Sequence, residues 1–363
     1  MFKKILVFLT VAVMLFSLAG CGKTENTNAP KPADTKSEVK KLKVGMATDV
    51  GGVNDESFNA SAYRGLKKAE SDLGAEVKVL ESKQEADYDT NLTTLVRGGN
   101  DLTWGIGFAM ANAIDKAAKD NSDKKFGIVD YAYFDNNGKN ITPKNVVCVT
   151  FKEEEGSFLM GVIAAKMTKT KTVGFLGGIE IDLIKKFEYG FRAGVAAVDP
   201  GIKVLSGYAA SFTDSAKGKA LANSMYSQGA DVIYHASGGT GKGLFEAAVE
   251  NSKSDKKVWA IGVDSDQYKL APDNTLSSMI KSVDNAVFDI SKRLVHNEWK
   301  GGEVVVYGLK EGGIDIAPTT NKNTPQAVID LANSYKQKII AGEIAVPKTK
   351  GEFDSYMLKL PKQ

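Results

Sequence analysis

The sequence predicts an α/β protein of two similar lobes, each a parallel sheet with helices packed on its faces. Three observations predict it. From Leu42 onward, short β-rich apolar runs alternate with helical patterns, the mark of βαβ units. The order also repeats: residues 44–130 read strand, glycine-bearing polar loop, helix, strand, helix, strand, and residues 173–264 read the same way. Each half ends an apolar strand on an aspartate, Asp130 and Asp264. Finally, the chain beyond residue 41 runs to about 320 residues, more than one core comfortably serves.

In chain order the strand candidates are residues 43–48, 76–80, 102–106, 125–129, 146–151, 172–176, 203–208, 232–235, 258–263, 276–281 and 303–307. Each is a short β-branched or aromatic run bounded by turn residues. The helix candidates between them are residues 57–73, 87–98, 109–120, 153–167, 185–198, 214–228, 240–251, 285–297 and 324–341. Strands separated by helices of this length pair in parallel, and ligands bind beyond the carboxyl ends of such strands. The matched aspartates therefore face a cleft between the lobes. The extension from Thr319 to Gln363 packs back on the second lobe or meets a partner.

The amino terminus sets the location. Lys3 and Lys4, then an apolar run from Ile5 to Leu18 broken only by Thr10 and Ser17, then Ala19, Gly20 and Cys21, read as a secretory signal with a small-residue cleavage site. The run is too short for a permanent span. Leu18-Ala-Gly-Cys21 resembles a bacterial lipobox, which makes Cys21 the lipidated first residue of the mature chain. Residues 22–41, rich in Lys, Thr, Asn, Pro, Ala and Glu, cannot repay ordering entropy and form a flexible tether. The formal charge is +3 for the whole chain, and loss of Lys3 and Lys4 brings it to about +1, so no basic balance draws nucleic acid.

The segment 48–59 joins the first strand to the first helix and is suited to gripping a small ligand. Gly51 and Gly52 allow a sharp turn, Asp49 and Asn54 offer acceptors and donors, Ser57 is placed to cap the helix, and Phe58 presents a ring at its first turn. Among later aromatic residues, Phe108, Phe187, Tyr208 and Phe212 stand near strand ends, where they can stack on a flat ring or form an aromatic wall.

Other chemistry is missing. With Cys21 assigned to lipid, Cys148 stands alone in a β-branched run as a buried thiol, and no disulfide forms. The two histidines, His235 and His296, lie far apart, which disfavours a catalytic pair or a histidine metal site. The turn from Ser237 to Gly243 lacks phosphate-loop spacing, but its bare amides suit a hydroxyl or carbonyl. Glu153, Glu154 and Glu155 open a helix and read as a solvated first turn favoured by the helix dipole. No catalytic residue, metal or cofactor is expected.

Together the lipobox, Asp49-Val-Gly-Gly-Val-Asn54, Ser57-Phe-Asn59, Trp104-Gly-Ile-Gly-Phe108, Asp130, Phe175-Leu-Gly-Gly178, Lys186-Phe-Glu-Tyr-Gly-Phe191, Gly238-Gly-Thr-Gly241, Gly262-Val-Asp264 and Lys281 resemble the basic membrane protein family. These are substrate-binding lipoproteins of ABC transporters, purine nucleoside receptors among them. The resemblance covers residues 42–318 and implies a type I periplasmic-binding-protein fold with three hinge crossings, lobe 1 being 42–151 plus 282–303 and lobe 2 being 152–281 plus 304–363. It implies that Asp49, Asn54 and Asp130 hydrogen-bond a base, that Phe58 and Phe187 enclose it, and that Gly238 or Gly239, Asp264 and Lys281 hold the ribose. Lys281 beside Asp264 would keep that carboxylate ionised. The implied partners are a nucleoside, a permease and the membrane through the lipid on Cys21, with the receptor a monomer. The alternatives are a surface nucleoside hydrolase or phosphorylase, the same fold binding a sugar or signal molecule, and a lipid-anchored sensor.

Overall fold

The structure is a computed structural model that describes residues 41–253 and 256–360. The signal segment 1–20, Cys21 and the tether up to Lys40 lie outside the described residues.

The first lobe begins with β1 (Lys43–Thr48), α1 (Phe58–Leu73), β2 (Glu76–Leu80), α2 (Tyr88–Arg97), β3 (Leu102–Ile106), α3 (Ala111–Asp120), β4 (Lys125–Val129) and β5 (Val146–Phe151). The chain then builds the second lobe from α4 (Glu153–Met167), β6 (Thr172–Gly177), α5 (Asp182–Val198), β7 (Lys203–Tyr208), α6 (Ser215–Ser227), β8 (Val232–Ala236), α7 (Lys242–Asn251), β9 (Trp259–Asp264) and β10 (Thr275–Lys281). It returns to the first lobe for α8 (Val283–Val295) and β11 (Glu303–Tyr307), and ends with β12 (Ile314–Ile316), α9 (Gln326–Ile340) and α10 (Lys350–Lys359).

The sheet orders are β11-β5-β4-β3-β1-β2 and β12-β10-β9-β8-β6-β7. Every pair is parallel except β10 with β12. The expected α/β architecture of two Rossmann-like lobes is what forms. The chain crosses between sheets after Phe151, after Lys281 and after Tyr307. The last crossing corrects the expected boundary at 303. All of β11 pairs with β5, from Glu303 against Val147 to Tyr307 against Phe151, so residues 304–307 belong to the first lobe.

Each sheet is covered on both faces, which explains why its strands read as continuous apolar runs. In the first lobe, Leu92, Leu95 and Ile114 of α2 and α3 pack with Phe126, Ile128 and the buried free thiol of Cys148. In the second, Met225, Leu244 and Phe245 of α6 and α7 pack with Ile233 and Ala260.

On the opposite face of the second lobe α4 is buried along almost its whole length. It meets α5 backbone to backbone: a Cβ on Gly194 would sit 2.0 Å from the Phe158 carbonyl oxygen, and one on Gly190 2.3 Å from that of Glu154. Small residues at these two positions set the approach of the helices. The expectation of a solvated acidic turn at residues 153–155 therefore fails for two of its members. Glu153 is 0 % and Glu154 8 % exposed, because the first turn of α4 is enclosed where the chain enters the second lobe. Two elements escaped the sequence reading: β12, only three residues long, and α10. The carboxyl-terminal extension lies on the second lobe, with Tyr335 of α9 donating to the Ala197 carbonyl and Tyr189 of α5 stacked on Phe353 of α10.

Candidate functional site

The loop after β1 arranges its polar groups around the amino terminus of α1. Asp55, not Ser57, caps this helix: its carboxylate accepts from the backbone N–H groups of Ser57, Asn59 and Ala60 at 2.9, 2.8 and 2.9 Å. Four unpaired N–H groups at a helix start suit a carboxylate better than a hydroxyl. Ser57 is thereby released, and its Oγ donates to Asp264 Oδ2 in the other lobe at 2.5 Å. Asn59 Nδ2 bridges Asp49 Oδ1 at 2.8 Å and Asp55 Oδ2 at 3.2 Å. Burial pushes the Asp49 carboxyl up to about 6, against the pull of the Gly51 N–H and Asn59.

Asp130 and Asp264 stand at corresponding points of the two lobes. Asp130 follows β4 and Asp264 ends β9, and each has φ of 65°. Aspartate tolerates this left-handed backbone better than most residues, and the bend turns the carboxylate across the strand end. Burial raises Asp264 to about 7, opposed by Lys281 and the Ser57 hydroxyl.

Lys281 ends β10, immediately before the second crossing, and it is 1 % exposed. Its Nζ lies 2.6 Å from Asp130 Oδ2 and 3.1 Å from Glu153 Oε1. Lys186 approaches Glu153 Oε2 from α5 at 3.2 Å. The ammonium also lies 5.2, 5.0 and 5.6 Å from the ring centroids of Phe58, Phe151 and Phe187. Burial would lower its pKa, but the carboxylates of Asp130, Glu153 and Asp264 outweigh that and hold the ammonium charged. Lysine 281 thus pairs directly with Asp130 and Glu153, which corrects the expectation that Asp264 is its partner. Asp264 remains a more distant charge, and the lysine does not hold it at an ordinary carboxylate pKa.

These groups border a cavity between the lobes, with about 590 Å³ of atom-free space including open solvent at its mouth. Of the expected residues, Asp49, Phe58, Asp130, Phe187, Gly238, Asp264 and Lys281 line it. Asn54 does not: it is exposed, and only its carbonyl is engaged, by Lys242 Nζ at 2.6 Å. Gly239 also lies outside the lining, one residue past Gly238 in the turn before α7. The sequence reading missed Asn59 and Asp55, although both follow the loop glycines within one turn of the helix.

Phe212 and Phe108 line the cavity and meet edge to face at 6.2 Å, one from each lobe. Tyr208 turns away to donate to Glu188. His235 is fully buried between Ser237 Oγ at 3.1 Å and Gln267 Oε1 at 2.9 Å. Burial takes its pKa down to about 4, so it is a neutral buttress beneath the turn.

Further contacts cross the cleft: Gln267 Nε2 donates to the Glu56 carbonyl at 3.0 Å, and Ser265 Oγ to that of Ser57 at 3.1 Å. The lobes are closed on each other. Among the described residues no cluster fit to hold a metal ion occurs, and no helix is long and apolar enough to cross a membrane.

A family model described as ABC transporter substrate-binding protein, PnrA-like, matches residues 42–350. The ABC transporter nucleoside-binding protein BmpA of Lactococcus lactis subsp. cremoris is 39 % identical, with 93 % of this chain and 98 % of that protein covered. The CD4+ T-cell-stimulating antigen of Listeria innocua is 41 % identical over 91 % and 94 % of the two chains. Among solved structures, an ABC transporter solute-binding protein of Aeropyrum pernix superposes with a TM-score of 0.76 at 28 % identity, covering 86 % of this chain and 96 % of that one.

Proposed function

The chain belongs to the PnrA-like family of ABC transporter substrate-binding proteins, and from that premise we propose that its interlobe cavity binds a nucleoside, in the first place a purine nucleoside, for delivery to a permease. The observation that carries this reading is that one cavity is lined by an aromatic ring and a carboxylate from each lobe, Phe58 and Asp130 from the first and Phe187 and Asp264 from the second. Phe58 and Phe187 both approach the Lys281 ammonium, Asp130 stands on the first-lobe side, and Asp264 on the second. A base between two rings gains about 1–3 kcal/mol from stacking. A carboxylate suits two vicinal ribose hydroxyls, as at the acidic residue of dinucleotide folds.

Asp49 and Asp130 serve the base under this reading, with Asn59 in the place first given to Asn54. Asp264, Lys281 and the Gly238 backbone serve the sugar. Closure joins ligand contacts from both lobes into one free-energy difference between open and closed forms, and the permease reads the closed surface. Cys21 carries the lipid that keeps the receptor at the membrane, and no reaction is catalysed. The nucleoside-binding relative from Lactococcus supports the ligand class.

The test is calorimetry on the whole chain in detergent, unfolded and refolded to strip carried ligand, with adenosine, guanosine, inosine, uridine, ribose and adenine. Sub-micromolar purine nucleoside binding without turnover is expected. Folded protein that binds none of them refutes the reading.

A further inference from the structure

The turn that follows β9 meets the first lobe through an amide whose orientation is decided. Gln267 is 3 % exposed and does not line the cavity. Its Oε1 accepts the Val263 N–H at 2.9 Å and lies 2.9 Å from His235 Nε2, and its Nε2 donates to the Glu56 carbonyl of the first lobe at 3.0 Å. A flipped amide would set N–H against the Val263 N–H and oxygen against the Glu56 carbonyl, so the side chain has one workable orientation. That orientation fixes the histidine in turn. Facing an oxygen, Nε2 carries the hydrogen of the neutral ring, which leaves Nδ1 to accept from the Ser237 hydroxyl at 3.1 Å. Ser237 lines the cavity. The backbone is shaped to both ends of this run of bonds. Gly262 leaves room for the amide, since a Cβ there would sit 2.6 Å from Gln267 Oε1, and Glu56 takes φ of 59°, a left-handed value uncommon outside glycine.

Resting on the receptor reading for closure alone, and not on which ligand drives it, we propose that Gln267 and His235 are positioning residues for lobe closure: the histidine holds the glutamine amide so that its N–H group meets Glu56 when the lobes come together. The bonds to Val263, His235 and Ser237 lie within the second lobe and do not depend on where the first lobe stands. The bond to Glu56 crosses the cleft, so its free energy counts toward the closed form only. Neither residue has to touch a ligand, and every ligand that closes the cleft gains from the contact alike.

The experiment compares the refolded whole chain with Gln267→Met, His235→Leu and His235→Gln, recording the melting transition of each. Small-angle scattering reads closure without ligand, and stopped-flow fluorescence reads the dissociation of adenosine, guanosine and inosine. Gln267→Met keeps the length of the side chain without its N–H group. Its closed-to-open ratio should fall about fivefold, the order expected from one neutral hydrogen bond, and its unliganded radius should rise. All three nucleosides should leave faster by about the same factor, with their relative affinities unchanged. His235→Leu should move both readouts in the same direction, and His235→Gln, whose amide returns an N–H near the place of Nε2, should recover most of the change. A lower melting temperature in His235→Leu with radius and dissociation unchanged overturns the part given to the histidine. Dissociation within twofold of the wild type in folded Gln267→Met, or a shift in the ranking of the three nucleosides, overturns the proposal and leaves the nucleoside reading standing. Silence toward all three nucleosides, with the larger radius in Gln267→Met, overturns the nucleoside reading and leaves the closure contact standing.

Discussion

Ser57 Oγ donates to Asp264 Oδ2 at 2.5 Å, joining the residue before the first-lobe helix α1 to the last residue of the second-lobe strand β9. The bond closes the cleft at the carboxylate assigned to the ribose. Ser57→Ala removes it while leaving the Asp55 cap intact. A hydrogen bond to a charged group contributes about 1.5 kcal/mol or more, so the closed-to-open ratio without ligand should fall roughly tenfold. Small-angle scattering should show a larger unliganded radius for the variant and the same radius for both proteins with saturating ligand. Equal unliganded radii would mean that the serine does not hold the cleft.

Proton linkage at the same carboxylate gives a second prediction. Asp264 sits at about 7 and Asp49 at about 6, both above the ordinary carboxylate value of 3.8 because burial disfavours charge. For an acid raised in this way, the contribution to the closed, unliganded form is present in acid and is lost as pH rises through 6 and 7. Ribose hydroxyls and base N–H groups donate to the ionised forms and lower both values. Binding should therefore release protons and tighten with pH between about 5.5 and 8, by tenfold for each unit a ligand lowers one group. Titrations in buffers of different ionisation heat would read the proton count directly, and Asp264→Asn should flatten most of the profile.

At the hinge, Lys281 contacts two buried carboxylates at once, Asp130 and Glu153. Lys281→Met retains much of the side-chain volume but strands Asp130 and leaves Glu153 with Lys186 alone, a loss of about 3–5 kcal/mol for breaking a buried pair. Adding Glu153→Gln removes the second carboxylate that faced Lys281 and its repulsion of Asp130, so the double variant should be more stable than Lys281→Met alone. Urea unfolding of the wild type, the two single variants and the double variant measures the coupling, and strict additivity would show that the contacts carry no joint energy.

Glu153 also shows where sequence reasoning stops. Its position at the start of a helix is legible, and the dipole argument that placed it in solvent is sound for an isolated helix. What overrides it is the approach of Lys281 and Lys186 from β10 and α5, elements far along the chain that no local pattern connects. The alternation of strands and helices, the twin aspartates and the Phe58 and Phe187 rings were all readable, because each depends on local periodicity or on the end of a strand. The exchange of roles among Asn54, Asp55, Ser57 and Asn59 was not. All four are polar residues able to cap a helix, and only three-dimensional competition for the first N–H groups of α1 decides that Asp55 wins, sends Ser57 across the cleft and turns Asn59 inward. β12 was missed for a related reason: three residues make a strand only because Lys281, Ile280 and Met279 are there to pair with them.

The two rings proposed to enclose the base should separate on mutation, because they are buried to different degrees. Phe187 is 3 % exposed and belongs to the core around α5, whereas Phe58 is only partly buried and packs at the edge of that core. Phe187→Ala thus removes core packing as well as a stacking surface, and should cost about 3–5 kcal/mol of stability besides weakening binding. Phe58→Ala should leave most of the stability in place and lose chiefly the stack, about 1–3 kcal/mol, or roughly 5- to 150-fold in Kd. Calorimetric titration and urea unfolding on the same preparations distinguish the two effects. If Phe58→Ala bound a purine nucleoside as tightly as the wild type, the base would not lie on that ring, and the slot between Phe58 and Phe187 would have to be abandoned as its site.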